Sequence, residues 1–174
     1  MATSPPASIT IDSAFGKLHA VLQPAAELDA DHDEGWTVSS RPLIVLLHGE
    51  GRSVSWKAWE PALAPLGMLG YTCAALDMPG YGDSKGNREE GKARIDEVIQ
   101  AVCKGTGKDV CVVVGRAEGG RGALNAAAQA KRNAVAAIVV CHPVAPAEAT
   151  LKSVVMQRCP ALVTWARDEK GGQL

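Results

Sequence analysis

The run Val110 to Gly122, VCVVVGRAEGGRG, carries an apolar strand pattern into the turn Gly115-Arg116-Ala117-Glu118-Gly119 and then into a helix-like stretch. Glycine at both ends of such a turn permits strained backbone and a close approach of helix to strand. This layout lifts the middle side chain above the carboxyl end of a sheet, where a serine would attack a carbonyl carbon. The middle residue here is Ala117. A methyl group cannot act as that nucleophile, so the turn has the form of a catalytic site without its reacting atom.

Other chemistry-bearing patterns are weaker. A dinucleotide-binding turn would need G-x-G-x-x-G spacing, which Arg116 and Arg121 interrupt, and an acidic residue ending the strand over 134–141, which is absent. Gly105-Thr106-Gly107-Lys108-Asp109 lacks the first glycine and the serine or threonine of a phosphate loop, and reads as a helix stop before a strand. Asp29, Asp31 and Asp33 alternate like calcium ligands, but Glu34 stands where the loop needs glycine and Ser40 where it needs glutamate. Cys141 and His142 are neighbours on a strand and point to opposite faces, which argues against a thiol–imidazole pair. His48 reads as a histidine bracing its turn. No cofactor and no metal site is expected.

The elements that must position the turn alternate along the chain. Residues 8–14 and 18–23, around Gly16-Lys17, predict an N-terminal hairpin. A polar loop over 24–41 leads to Leu43–Leu47, an uninterrupted apolar strand of the type buried on both faces in a parallel sheet. His48-Gly49-Glu50-Gly51 follows it. Helical spacing is expected over 55–66, a strand over 72–76, and then the glycine-rich turn Asp77-Met78-Pro79-Gly80-Tyr81-Gly82-Asp83-Ser84. Ile95, Val98, Ile99 and Val102 recur at i, i+3, i+4, i+7 and predict one amphipathic helix over 88–103. A strand over 110–114, a helix over 120–131, a strand over 134–141, a helix over 147–157 and a strand over 161–165 complete the order. Alternation of this kind predicts a mostly parallel doubly wound sheet preceded by an antiparallel hairpin.

At 174 residues the chain fits one domain, with a flexible stretch over 1–7 and a single unit over 8–174. It is 47% hydrophobic and 21% charged, and its formal charge of −1 gives no reason to expect nucleic acid or an anionic membrane as partner. Cys73, Cys103, Cys111, Cys141 and Cys159 form an odd set without a C-x-x-C pair, and read as reduced, buried thiols. The opening MATSPPASIT lacks the pattern of a secretory signal, and no apolar run approaches the ~20 residues of a membrane span. A cytoplasmic protein is expected.

Taken together, these marks resemble the α/β-hydrolase superfamily over nearly the whole chain. They are Leu46-Leu47-His48-Gly49, Trp56 and Trp59, Gly70-Tyr71, the turn over 77–84, and the glycine-bounded turn at Ala117. Within it the chain is most similar to the small cap-less ABHD14-like proteins, on Val144-Ala145-Pro146 and on Pro160-Ala161-Leu162 through Asp168-Glu169. The resemblance implies a truncated α/β-hydrolase fold lacking the last strand and helix. It maps the nucleophile to Ala117, the oxyanion-hole positions to Glu50 and Glu118, and the acid to Asp168 or Glu169. The family's histidine lies beyond a further strand, whereas His19, His32, His48 and His142 all lie upstream of that place. Carboxylates at both hole positions would oppose a developing negative charge unless Arg52, Arg116 or Arg121 neutralises them.

These marks lead to the expectation of a catalytically inactive hydrolase-like module in a larger assembly. A protein partner would cover the edge strand 161–165 and the adjacent sheet face, and a cytoskeletal or ciliary structure is one setting for it. The alternative is a small-molecule ester or acyl hydrolase, or a ligand-binding receptor, using the pocket around His48, Glu50, Ala117 and Glu118.

Overall fold

Strand and helix order follow from the alternation of apolar runs and turn residues. The computed structural model describes residues 4–27, 40–51, 54–131, 134–144 and 147–164. Among these residues seven strands form one sheet in the order β1-β2-β4-β3-β5-β6-β7. β1 (Ala7–Ser13) and β2 (Gly16–Gln23) make the expected hairpin, and β2 joins β4 (Cys73–Leu76) antiparallel. β3 (Leu43–Leu47), β5 (Cys111–Arg116), β6 (Val135–Cys141) and β7 (Ala161–Thr164) continue the sheet in parallel. The hairpin turns at Ala14-Phe15, and Gly16, with φ of 100°, already belongs to β2.

Among the described residues five α-helices cover the sheet: α1 (Glu60–Met68), α2 (Arg88–Ala93), α3 (Ile95–Gly105), α4 (Glu118–Gln129) and α5 (Glu148–Met156). A short 3-10 helix, Trp56–Trp59, precedes α1, and Ser55 caps it. The 3-10 helix and α1 pack on one face of β4 and β3, around Val21, Ile44, Leu46 and Leu63. The larger core lies on the opposite face. There Leu43, Val45, Leu47 and Val113 meet Val98 and Val102 of α3 and Ala123 and Leu124 of α4. All five side chains of β3 are buried, as its unbroken apolar run requires.

One expectation needs correction. The helix over 88–103 is two helices broken at Arg94, whose backbone leaves the helical region at φ −119°, ψ 43°. The apolar spacing belongs to α3 alone. Arg94 is held by Glu90 and by Glu97 at 2.8 Å, and its guanidinium lies 5.0 Å from the Phe15 ring. Gly91 meanwhile packs so closely on Pro79 that a Cβ would stand 2.5 Å from the ring. These contacts tie α2 to the glycine-rich turn and α3 to the hairpin, so the axis bends between them.

Asp29, Asp31, Asp33, Arg52, Asp168 and Glu169 lie outside the described residues. Of the five thiols, Cys73, Cys103 and Cys111 are buried as expected, whereas Cys141 and Cys159 are half-buried; all are free. At the other end of the chain, the Ser4 carbonyl accepts a hydrogen bond from Gln23 Nε2 at 2.9 Å.

Candidate active site

β5 ends at Arg116 and α4 starts at Glu118, so the whole change of direction falls on Ala117. Its backbone is at φ 52°, ψ −117°, a conformation that L-residues avoid because Cβ crowds the backbone. Neighbouring glycines hold it there. A Cβ on Gly115 would overlap the Gly119 carbonyl, and one on Gly119 would overlap the carbonyls of Leu47 and His48. The Ala117 N–H donates to the Cys141 carbonyl at 2.9 Å, which fixes the turn to β6. This is the strand–turn–helix elbow expected from the glycine spacing. The Gly120 and Arg121 N–H groups donate to the Ala117 carbonyl at 3.0 and 3.2 Å, whereas those of Glu118 and Gly119, which open α4, have no acceptor within their own helix and lie at its positive dipole end.

His48, Gly49 and Glu50 leave β3 beside this turn. His48 is buried; its Nδ1 lies 2.7 Å from the Gly49 carbonyl and its Nε2 accepts the Met78 N–H at 3.1 Å. An acceptor at Nε2 requires the proton on Nδ1, which donates to Gly49. Burial lowers the imidazole pKa, against a raising effect of the Gly49 bond and Asp77, and keeps the ring neutral. With both nitrogens engaged, His48 braces the turn, as its sequence context suggests.

Asp77 does comparable work at the end of the neighbouring strand β4. It is 1% exposed and accepts from the Trp56 N–H at 2.7 Å, the Asp83 N–H at 3.1 Å and His19 Nδ1 at 2.8 Å. Ser84 Oγ donates to the Asp77 carbonyl at 2.6 Å and accepts from the His19 N–H at 2.8 Å. A Cβ on Gly82, at φ 50°, would collide with the Asp77 carboxyl. The glycine-rich turn therefore wraps a buried acid and presents Tyr81, whose ring meets His48 edge-on at 5.1 Å.

The two carboxylates flanking the elbow are paired. Glu118 accepts from Arg121, one turn along α4, and Glu50 accepts from Lys92 of α2. Of the three arginines expected to neutralise the site, Arg121 does so, Arg116 is exposed at the end of β5, and Arg52 lies outside the described residues. Lys92 went unnoticed in the sequence because only the fold brings it to a residue 42 positions away. The hydrogen bond from Lys92 holds the Glu50 carboxyl below its usual range, and Lys92 is correspondingly raised. Each negative charge is thus offset by a cation, and the objection to charge development at this site falls away.

His48, Glu50, Met78, Tyr81, Lys92 and Glu118 are among the residues around a cleft at the elbow. Its free volume of about 20 Å³ is enough for roughly one water.

Comparison with known proteins agrees with this architecture. A family model described as alpha/beta hydrolase fold matches residues 42–168. An epoxide hydrolase from an endophytic Streptomyces is similar over 78% of this chain and 37% of its own, at 26% identity and a TM-score of 0.63. The naproxen esterase of Bacillus subtilis is similar over 80% and 44%, at 21% identity and a TM-score of 0.63. A predicted CIB-like hydrolase from Thermoplasma acidophilum superposes over 98% and 78%, at 22% identity and a TM-score of 0.71. The chain spans under half the length of the epoxide hydrolase and the esterase. No curated protein matches it in sequence.

The expectation that the chain is not an enzyme is corrected by these comparisons. Solved structures similar to it include epoxide hydrolases and an esterase. The methyl at 117 removes attack by that residue, yet the elbow, the helix start and the charge-paired cleft persist around it. The comparisons lend no support to a cytoskeletal or ciliary setting. Among the described residues no helix is long and apolar enough to cross a membrane. With the family model spanning most of the chain and the elbow built as the sheet topology requires, the chain belongs to the alpha/beta hydrolase fold family.

Proposed function

We propose that this chain is the sheet core of a small-molecule hydrolase acting on ester or acyl compounds, with water in place of residue 117 as the attacking group. The observation that carries this reading is the strained backbone of Ala117, kept at a non-glycine residue beside a cleft of water size. Strain of this kind costs about 1–3 kcal/mol and concentrates at functional sites. In the proposed reaction, the substrate carbonyl oxygen lies at the N–H groups opening α4, where developing negative charge is favoured. Water adds to the carbonyl carbon while Glu50 takes its proton, and the same proton passes to the departing alcohol. Glu50 is ionised at neutral pH as an ordinary carboxylate is, and the hydrogen bond from Lys92 lowers its pKa further, which makes it a weak base. The reading therefore implies slow turnover, on the order of the 10³–10⁴-fold over water left when a covalent nucleophile is absent.

The test is hydrolysis of short-chain p-nitrophenyl esters by the purified chain. Turnover above buffer, falling at least about tenfold in a folded Glu50→Gln variant, is the expected result. No turnover, or an unchanged rate in that variant, overturns the catalytic mechanism. If the same esters raise the melting temperature without being hydrolysed, the cleft is a binding pocket only.

Two narrower readings belong to the same proposal. The connection from Cys141 to Glu148 is too short to hold an inserted domain, which supports placement among the cap-less ABHD14-like members. A protein partner along β7 is supported by the 58% exposure of Leu162 and by its pairing, among the described residues, with β6 alone. Native mass spectrometry of material purified from its own cells, with and without Leu162→Asp, tests that partner; equal recovery of a complex in both would exclude β7 as its site.

A further inference from the structure

A cavity of about 300 Å³ opens at the end of the sheet where β5, β6 and β7 begin, opposite the elbow. Val110, Ala127, Val135 and Pro160 give it apolar walls, and Val110 is left 38% exposed. Its polar side chains are Lys131, Gln157 and Arg158, with no carboxylate among them. A larger cavity of about 360 Å³ shares Ala130 and Val135 with it, but there Asp96 and Asp109 balance Lys104 and Lys108. Of the two, the smaller carries charge of a single sign.

Two helix ends build it. α4 stops at Gln129, and Lys131 follows one residue beyond, after the cap Ala130. α5 stops at Met156 and the chain reverses at Arg158, φ 54°; the Arg158 N–H donates to the Val155 carbonyl at 3.0 Å and the Cys159 N–H to the Val154 carbonyl at 3.4 Å. Glycine is the usual residue at such a reversal, and a side chain there is strained. The Gln157 N–H donates to the Ser153 carbonyl at 2.9 Å, so backbone donors already satisfy the last turn of α5 and the guanidinium is not needed as its cap. Among the described residues neither Lys131 nor Arg158 has a side-chain hydrogen bond or ion pair. In β6, Cys111 pairs with Val135 and Val112 with Ala137, so the extra residue Ala136 is taken up as a bulge that lines the cavity. Each helix C-terminus carries roughly half a negative charge, and two cations against two such ends leave about one positive charge unmatched.

We infer that this cavity is a binding site for an organic monoanion, a carboxylate on a short aliphatic chain. Lys131 and Arg158 hold the carboxylate, and the Gln157 amide adds a neutral donor. The aliphatic chain lies on Val110, Ala127 and Val135 and removes the exposed part of Val110 from water. The volume is at the lower end of the ~300–1,000 Å³ that small-ligand sites occupy, which suits a compact acid. The site is independent of the reaction at Ala117, because the two lie at opposite ends of β5.

Cys159 reports occupancy. Its Sγ lies 3.8 Å from the Val135 carbonyl oxygen in the cavity wall, and it is half-buried, as is Cys141 at the elbow end of β6. Octanoate added to the purified chain should slow iodoacetamide labelling of Cys159, read by mass spectrometry of the tryptic peptide 159–167, and leave labelling of Cys141 unchanged. Octanol, with the same chain and no charge, should need about tenfold more for the same protection, and octylamine should give none. Lys131→Gln and Arg158→Gln should each weaken octanoate roughly threefold. Equal protection by octanol or octylamine, slowing of Cys141 together with Cys159, or no protection by octanoate would overturn the inference, and all three are read on the wild-type chain. Unchanged octanoate protection in both folded variants would overturn it as well.

Discussion

Replacing Ala117 with glycine should stabilise the protein, against the usual direction of substitutions at a helix start. In the native state residue 117 sits at φ 52°, ψ −117°, where a Cβ costs about 1–3 kcal/mol and glycine costs nothing. Two effects oppose the gain. Glycine increases the freedom of the unfolded chain, a loss of about 0.4–1 kcal/mol. Removing a half-buried methyl gives up about 0.4 kcal/mol of apolar burial, half the usual value per carbon. The net expectation is stabilisation of about 1 kcal/mol, or a rise of roughly 2–4 °C in Tm for a domain of this size. Urea unfolding followed by tryptophan fluorescence would read it, because Trp56 and Trp59 pack against the core of the 3-10 helix and α1. Arg158→Gly is a useful control, since Arg158 is exposed at φ 54° and has no part in the cleft. Destabilisation of Ala117→Gly beside stabilisation of Arg158→Gly would refute the argument, because it would mean that the methyl is supported by contacts that outweigh its strain.

Three further outcomes follow from the same geometry. Gly119→Ala should cost about 3 kcal/mol or more, because its Cβ would meet two main-chain carbonyls of the β3 end that cannot move aside; a urea midpoint within error of wild type would contradict this. Asp77→Asn should cost about 2–3 kcal/mol, since the amide leaves either the Trp56 or the Asp83 N–H facing another donor in a buried site; equilibrium unfolding measures it. Stability should fall as pH drops below about 6.5, because His48 is neutral when buried and takes a proton on unfolding, so the unfolded state binds more protons there; unfolding between pH 7.5 and pH ~5 checks the sign, and His48→Gln should remove that part of the slope.

Much of the site was already written in local residue order. Glycines at 115 and 119 around a small residue at the end of an apolar run require a tight strand-to-helix turn, and the elbow has that form. His48, placed directly after a strand buried on both faces, could only point into the packed layer, and it does. The single helix assigned to residues 88–103 failed for a different reason. Its spacing was sound from Ile95 onward, but the break at Arg94 answers to Phe15 and Pro79, residues that periodicity within the segment cannot sense.

Local pattern therefore determined the order of elements, the hairpin, the parallel sheet and the elbow with its alanine, because each depends on side chains within a few positions of one another. Tertiary structure alone decided which charge offsets Glu50 and which backbone groups satisfy Asp77. Glu50 and Lys92 are 42 positions apart, and Trp56 and Asp77 are 21 apart. Coulomb and hydrogen-bond energies depend on distances in space, and those distances exist only after β3, β4 and α2 have packed.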